Sequence, residues 1–349
     1  MDNLHLFEQR KRDHIRIALE ASSQAVGESM LDQIQLMHEA LPEIDFAEII
    51  IESEFLHKPA APLFVSSMTA GHHDGLEINI ALARACERKN WLMGVGSQRR
   101  QLSDENARAE WQKIRNEAPR ARLIGNLGLA QVISEPVDKI RQLIDSLNAE
   151  ALFIHTNPLQ EAFQPEGTPQ FRGGLVAIEN LCKQLHVPII LKETGCGFSP
   201  HTLRRLQGLG LYAVDVAGLG GTHWGRVEGA RSAESELLHK AAKTFANWGV
   251  STVESLAYGL ALQPGYALWA SGGVRSGLDA AKFLAMGADK VGFAKPMIEA
   301  ALNGVDEVIS LMNQIEYELK VALFCTGCKN LSELKHKKVW KWKGELSCS

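Results

Sequence analysis

The chain has no long apolar run: none of its 349 residues belong to a segment approaching the ~20 apolar residues that span a bilayer. Its opening stretch, "MDNLHLFEQRKRDHIRIALE", has no apolar signal core either, which predicts a cytoplasmic protein with no membrane attachment. Cysteine is sparse: six residues, at 86, 182, 196, 325, 328 and 348, fit a reducing compartment and not a disulfide framework. The one close pair, Cys325 and Cys328 in "CTGC", lacks a second pair to complete a zinc site and reads as incidental. Charge of neither sign dominates. A net charge of −4 and a pI near 6.3 exclude an overall basic nucleic-acid binder. No Pro/Gly-rich linker or low-complexity tract splits the sequence. That predicts one domain over 1–349, with a lead-in arm at 1–60, a core at 61–300 and a C-terminal helical extension at 301–349.

What the sequence does have is alternation. The runs "APLFVSSM", "LMGVGSQ", "RLIGNLG", "ALFIHTN", "PIILKETG", "AVDVAGLG", "ALWASGG" and "KVGFAKP" are short, apolar and β-rich. Amphipathic stretches such as "LEINIALARACERKN" and "PVDKIRQLIDSLNAE" lie between them. Continuous apolar strands separated by helices mean a parallel sheet covered on both faces. Eight such units predict a TIM (β/α)8 barrel with helical extensions at both ends; an open doubly wound sheet is the alternative.

The unusual residues cluster where each strand gives way to a loop: "SSMTAG", "GSQR", "GN", "HTNPLQE", "KETG", "GLGGT", "GGVR" and "AK". In a TIM barrel these loops form the catalytic face, and a phosphate often sits after strands seven and eight. Gly272 and Gly273, followed by Val274 and Arg275, close the seventh run, and Ala294 and Lys295 close the eighth. Together they have the makings of a phosphate cradle, since adjacent glycines let a ligand approach backbone N–H groups closely. A tight turn without a ligand would use the same residues. Lys192 ends an apolar strand, where burying a lysine is costly unless it faces an anion. The stretch "QRKRDHIR" offers Arg10, Lys11, Arg12 and Arg16, as a solvated basic helix would also do. In "KHKKVWKWKGE" lysines alternate with Trp340 and Trp342, a pattern read as a solvated tail or a subunit-packing segment.

The motifs "RKRDHI", "GVGSQR", "HTNPLQE", "PEGTPQF", "GGTHWGRVE", "ASGGVRSGLDAAK" and "CTG" occur in an order and spacing that closely resemble the type 2 isopentenyl diphosphate isomerases. The resemblance implies interconversion of isopentenyl and dimethylallyl diphosphate on an FMN-binding TIM barrel, with reduced FMN, Mg2+ and NADPH as reductant. It assigns FMN to Ser67, Met68, Thr69, Ser97, Asn126, Lys192 and Thr222, and to Gly272, Gly273, Val274, Arg275, Ala294 and Lys295. It assigns the substrate to Arg10, Lys11, Ser97, Gln98, Arg99, His155, Asn157 and Gln160, with Gln160 beside the reacting carbons, and Mg2+ to Glu161. The chain departs from the family pattern at Ala70, where a glycine is usual, and at Thr168, where an acidic residue is usual.

Several charges on a diphosphate call for fixed cations and a metal. No carboxylate pair in the motifs is set for acid–base work, and Gln160 cannot exchange a proton near neutral pH. By elimination, and in line with the resemblance, the N5 region of reduced flavin is expected to give and take the proton. Lys192 would stabilise the ring's charge, and His155 is the fallback acid–base group. The expected partner is a small allylic or homoallylic diphosphate, with no nucleic acid or membrane partner, in a homo-oligomer. Two rival readings are a flavin barrel oxidising 2-hydroxy acids, whose His base and Arg pair are not evident here, and a non-catalytic flavin-binding protein.

Overall fold

Every one of the eight apolar runs forms a strand in the computed structural model, which describes residues 3–68, 73–104, 106–232 and 236–343. The strands are β1 (Leu63–Val65), β2 (Leu92–Gly94), β3 (Arg122–Gly128), β4 (Ala151–Thr156), β5 (Ile189–Glu193), β6 (Ala213–Asp215), β7 (Ala267–Ala270) and β8 (Lys290–Phe293). Each pairs in parallel with its sequence neighbours, and β8 pairs with β1 to close the barrel. The closed order rules out the open doubly wound sheet. Apart from β3, which fills its whole run, the strands are shorter than the runs that announced them, because the small and polar tails turn into the loops at the carboxyl ends.

Side chains fill the barrel from below. Phe55, Phe64, Phe153 and Trp269 are buried and meet as tilted and edge-on rings, with Phe64 and Trp269 centroids 5.1 Å apart. Phe55 comes from a two-strand ribbon (Ser53–Phe55 with Lys58–Ala60) whose backbone is clamped by Arg122, which donates to the Phe55 and Pro59 carbonyls at 2.9 Å. The amino end is therefore sealed. The cleft lined by the strand-end loops lies at the carboxyl end.

Four helices frame that open end or its loops: α1 (Asn3–Leu19), α2 (Pro158–Phe163), α3 (Trp224–Arg231) and α4 (Gly277–Met286). α1 packs against α3 beside the mouth, and its inner face joins the wall of the cleft. The C-terminal region adds, beyond its helices, a strand (Trp340–Trp342) paired antiparallel with Ile34–Leu36. Trp340 and Trp342 are half-buried there, so this stretch is a strand of the chain's own fold and not a solvated tail. Among the described residues no helix is long and apolar enough to cross a membrane.

Candidate active site

The loops at the carboxyl ends of the strands and the inner face of α1 enclose a cleft that is open to solvent on one side. Its walls carry Arg10, Lys11, Ser67, Met68, Ser97, Arg99, Asn126, His155, Asn157, Gln160, Glu161, Lys192 and Thr222. Gly272, Gly273, Val274, Arg275, Ala294 and Lys295 complete them. Thus nearly every residue singled out from the sequence faces one cavity. Thr69 lies outside the described residues, as does Ala70.

Gln98 is a correction. It sits on a 3-10 turn (Gln98–Leu102) that rotates its side chain inward, where it is buried and donates to Gln101 Oε1 at 2.8 Å. Its Oε1 accepts the Asn126 backbone N–H at 3.0 Å. The side chain braces β3 and does not reach the cleft.

Gly272 and Gly273 hold φ of +99° and +82°, the left-handed region that side chains resist. A Cβ on Gly273 would stand 2.8 Å from the Gly220 carbonyl oxygen and 3.0 Å from Ser29 Cβ. Helix α4 begins at Gly277 behind a capping box made by Ser276 and Asp279. Arg275 folds back to donate to Gln24 Oε1 at 2.7 Å.

Lys192 is buried, as expected of a strand-end lysine facing an anion, but the chain itself provides a counter-charge. Its Nζ lies 2.5 Å from Asp215 Oδ2 and 2.8 Å from Ser271 Oγ, and Ser271 donates to Asp215 at 2.9 Å. Next to it on the sheet, His155 Nδ1 lies 2.9 Å from Asn126 Oδ1, so the ring donates there. Burial first, then the Lys11, Lys192 and Arg99 charges, push the His155 pKa down to about 4. Its imidazole is neutral at physiological pH.

Following β5, Glu193 Oε2 accepts four consecutive backbone N–H groups, those of Thr194, Gly195, Cys196 and Gly197, at 2.5–2.9 Å. Burial outweighs these bonds and raises its pKa to about 7. The nest shapes a loop whose Thr194 and Gly195 line the cleft.

At the α1 side, one carboxylate organises the wall. Glu228 on α3 meets His14 Nε2 at 2.9 Å, Gln160 Nε2 at 2.9 Å and Arg231 Nη1 at 2.5 Å. Burial works against its ionisation, but the His14 hydrogen bond, the neighbouring positive charge and the Gln160 amide win and hold its pKa near 2. Asn157 donates to Gln160 Oε1 at 2.8 Å, so the Gln160 amide is fixed from both ends. His14 stands edge-on to Trp224, centroids 5.2 Å apart.

Cations converge above this hub. Burial and repulsion from Arg10 bring the Lys11 pKa down to about 7, and burial also lowers that of Arg10. Arg99 donates to Thr168 Oγ1 at 3.2 Å. Cations repelling one another in a partly dry wall are the environment an anionic ligand relieves. Glu161 is anchored by the Thr168 N–H at 2.5 Å and by Asn157 Nδ2 at 3.4 Å. Among the described residues no group of three or more His, Cys, Asp or Glu could hold a metal. A Mg2+ at Glu161 would therefore take most of its ligands from phosphate oxygens and water, as that ion commonly does. Ser66 and Ser67 have buried hydroxyls with no partner among the described residues, and both line the cleft. With the glycine cradle and the Lys192 ammonium, these waiting hydroxyls fit an FMN at the mouth.

Sequence reasoning missed His14, Glu193, Asp215, Glu228, Arg231 and Ser271. His14, Glu228 and Ser271 lie inside motifs already quoted, so a signal was present without an assigned role. Asp215 sits mid-run in "AVDVAGLG", where a lone acid in an apolar strand was the available cue.

The chain matches the model of the FMN-dependent dehydrogenase family over residues 113–341. It is 58% identical over 338 residues to a protein of Bdellovibrio bacteriovorus named isopentenyl-diphosphate delta-isomerase, covering 95% of this chain and 97% of that one. A protein of the same name from Oceanobacillus iheyensis is 43% identical, with 94% of each chain covered. Among solved structures, mandelate oxidase with (S)-2-phenylpropionate superposes with a TM-score of 0.66 at 19% identity, covering 97% of this chain and 98% of that one, a likeness of fold alone.

Proposed function

This chain belongs to the isopentenyl-diphosphate delta-isomerase family in its FMN-dependent, type 2 form, and from that premise we propose that it interconverts isopentenyl and dimethylallyl diphosphate in the barrel-mouth cleft. The observation that carries this reading is the meeting of two unlike walls in one cavity. One wall has the glycine cradle, the unpartnered Ser66 and Ser67 hydroxyls and Lys192; the other has Arg10, Lys11 and Arg99 above Gln160. The first suits a flavin phosphate and ring, the second a small diphosphate.

When bound and reduced, FMN would supply at its N5 region the acid–base group for the double-bond shift. The chain's own residues do the rest. Arg10, Lys11 and Arg99 draw in and hold the diphosphate, and Glu161 presents one carboxylate to a diphosphate-bound Mg2+. Gln160, fixed by Glu228 and Asn157, holds the alkene's position. Neutral His155, its Nδ1–H committed to Asn126, offers only Nε2 to the substrate and is a poor acid at pH 7. Lys192 presents an ammonium to the flavin. NADPH as reductant, a cytoplasmic setting, a homo-oligomer, and one functional unit over 1–349 complete the reading. The test is Mg2+-dependent conversion of isopentenyl diphosphate by the reduced, FMN-loaded protein; inactivity under those conditions contradicts it.

A further inference from the structure

Gln24 lies just beyond α1, where the backbone is strapped to the loop that follows β6. The Ala25 N–H donates to the Gly221 carbonyl at 2.8 Å, and the His223 N–H donates to the Ser23 carbonyl at 2.9 Å. This strap buries the Gln24 side chain among three partners. Its Oε1 accepts from Arg275 Nη2 at 2.7 Å, and its Nε2 donates to the Ala18 carbonyl at 2.7 Å and to Thr222 Oγ1 at 3.2 Å. We propose that Gln24 is a positioning residue of the flavin site, whose amide holds Thr222 and Arg275 as hydrogen-bond donors for the FMN phosphate. The inference rests on the reading that FMN occupies the barrel mouth.

The argument is one of hydrogen-bond polarity. A guanidinium has only hydrogens to offer, so the Gln24 amide oxygen must face Arg275. Its NH2 group is thereby set against the Ala18 carbonyl and Thr222. The reverse orientation would oppose donor to donor at Arg275 and oxygen to oxygen at Ala18. Thr222 Oγ1 therefore accepts from Gln24, and it has no other partner among the described residues, so its own hydrogen is left for a ligand. Arg275 commits one N–H to Gln24 and one to the Val274 carbonyl at 3.1 Å, which leaves others of its fork to donate. Both Thr222 and Arg275 line the cleft, whereas Gln24 does not, so it acts through them. Both also adjoin the glycine cradle: a Cβ on Gly221, the neighbour of Thr222, would stand 2.7 Å from the Gly273 backbone nitrogen. Ionised phosphate oxygens are acceptors. Two donors held beside the cradle thus recognise a phosphate more than a flavin ring.

The experiment titrates the full-length protein, stripped of flavin, with FMN and with riboflavin, which has the same ring and ribityl chain but no phosphate. Quenching of flavin fluorescence gives each Kd. Wild type should prefer FMN. Gln24→Leu should raise the FMN Kd about 10-fold or more, as the loss of a charge-assisted hydrogen bond does, and move the riboflavin Kd less than about 2-fold. A double-mutant cycle reads the route: adding Gln24→Leu to Thr222→Val should cost FMN affinity clearly less than adding it to wild type. An unchanged FMN Kd, an equal loss of both flavins, or additive effects in the cycle each overturn the proposal. If Gln24→Leu does not fold, Gln24→Met keeps the side-chain length without its polar atoms and is read in the same way. Failure of both to fold also overturns the proposal, because Gln24 then serves the fold and not the ligand. A wild-type protein that binds both flavins alike overturns this inference alone. One that binds neither contradicts the underlying reading of the site.

Discussion

Gln160 on α2 donates to Glu228 on α3 across 2.9 Å, tying the loop that follows β4 to the helix that supports the N-terminal arm. Glu228 also holds His14 of α1 and Arg231, so one carboxylate sets the distance between the arm and the polar floor of the cleft.

Replacing Glu228 with Gln should leave FMN bound, slow turnover, and destabilise the protein by roughly 3 kcal/mol at pH 7, because Arg231 loses a buried partner. The depressed pKa gives a pH signature. A carboxyl held near 2 contributes stability that is complete above its unfolded value and is lost as pH falls toward 2. Denaturant midpoints between pH 5 and pH 2 should therefore fall less steeply in Glu228→Gln than in wild type. Identical pH profiles would remove Glu228 from the hub.

Lys11 titrates near 7, so at that pH part of the ligand-free protein carries it uncharged. Binding a diphosphate favours the ammonium and should take up a proton. Calorimetry in two buffers of different ionisation heat should show this uptake between pH 7 and 8, and Lys11→Met should abolish it. Lys11→Ala and Arg10→Ala should also raise KM increasingly with salt. If neither KM nor proton uptake changes, the arm does not hold the diphosphate.

Gly273→Val forces a side chain into the left-handed region and against the Gly220 carbonyl. Strain of about 1–3 kcal/mol plus displacement of the loop should lower Tm and strip FMN, read from the flavin absorbance of the purified protein. Full occupancy in this variant would show that the cradle lies elsewhere.

Glu161→Gln should keep FMN and weaken the apparent Mg2+ affinity by roughly 10-fold or more, measured as the Mg2+ concentration for half-maximal turnover. An unchanged Mg2+ curve would take Glu161 out of the metal site.

The barrel was legible because the strands are mostly buried on both faces and read as predominantly apolar runs, broken by single charges such as Asp215, that end in small or polar residues. The cleft was legible for the same reason: the eight loop starts all lie at one end of a closed barrel. Lys192 illustrates what was not. Its cost of burial is visible in one residue type, but its partner Asp215 lies 23 residues away on the neighbouring strand, and strand register is not written in either run alone. Glu228 is further removed, 68 residues from Gln160, and only the docking of α1 over α3 brings His14 to it. Gln98 failed in the other direction. Flanked by cleft residues Ser97 and Arg99, it turns inward because a 3-10 turn sends successive side chains about a third of a revolution apart. The terminal "WKW" alternates as a strand should, but its pairing partner is the distant Ile34–Leu36 segment.

In the proposed function, reduced FMN at this mouth provides the proton for a double-bond shift while the protein provides placement and charge. The most direct measurement loads the protein with FMN or with the analogue bearing carbon at position 5, reduces each, and follows isopentenyl diphosphate with Mg2+ present. Turnover with reduced FMN, none with oxidised FMN, and none with the bound, reduced analogue is the predicted result. Full activity with the analogue would contradict the claim and move the acid–base role to His155 or the Gln160–Glu228 pair.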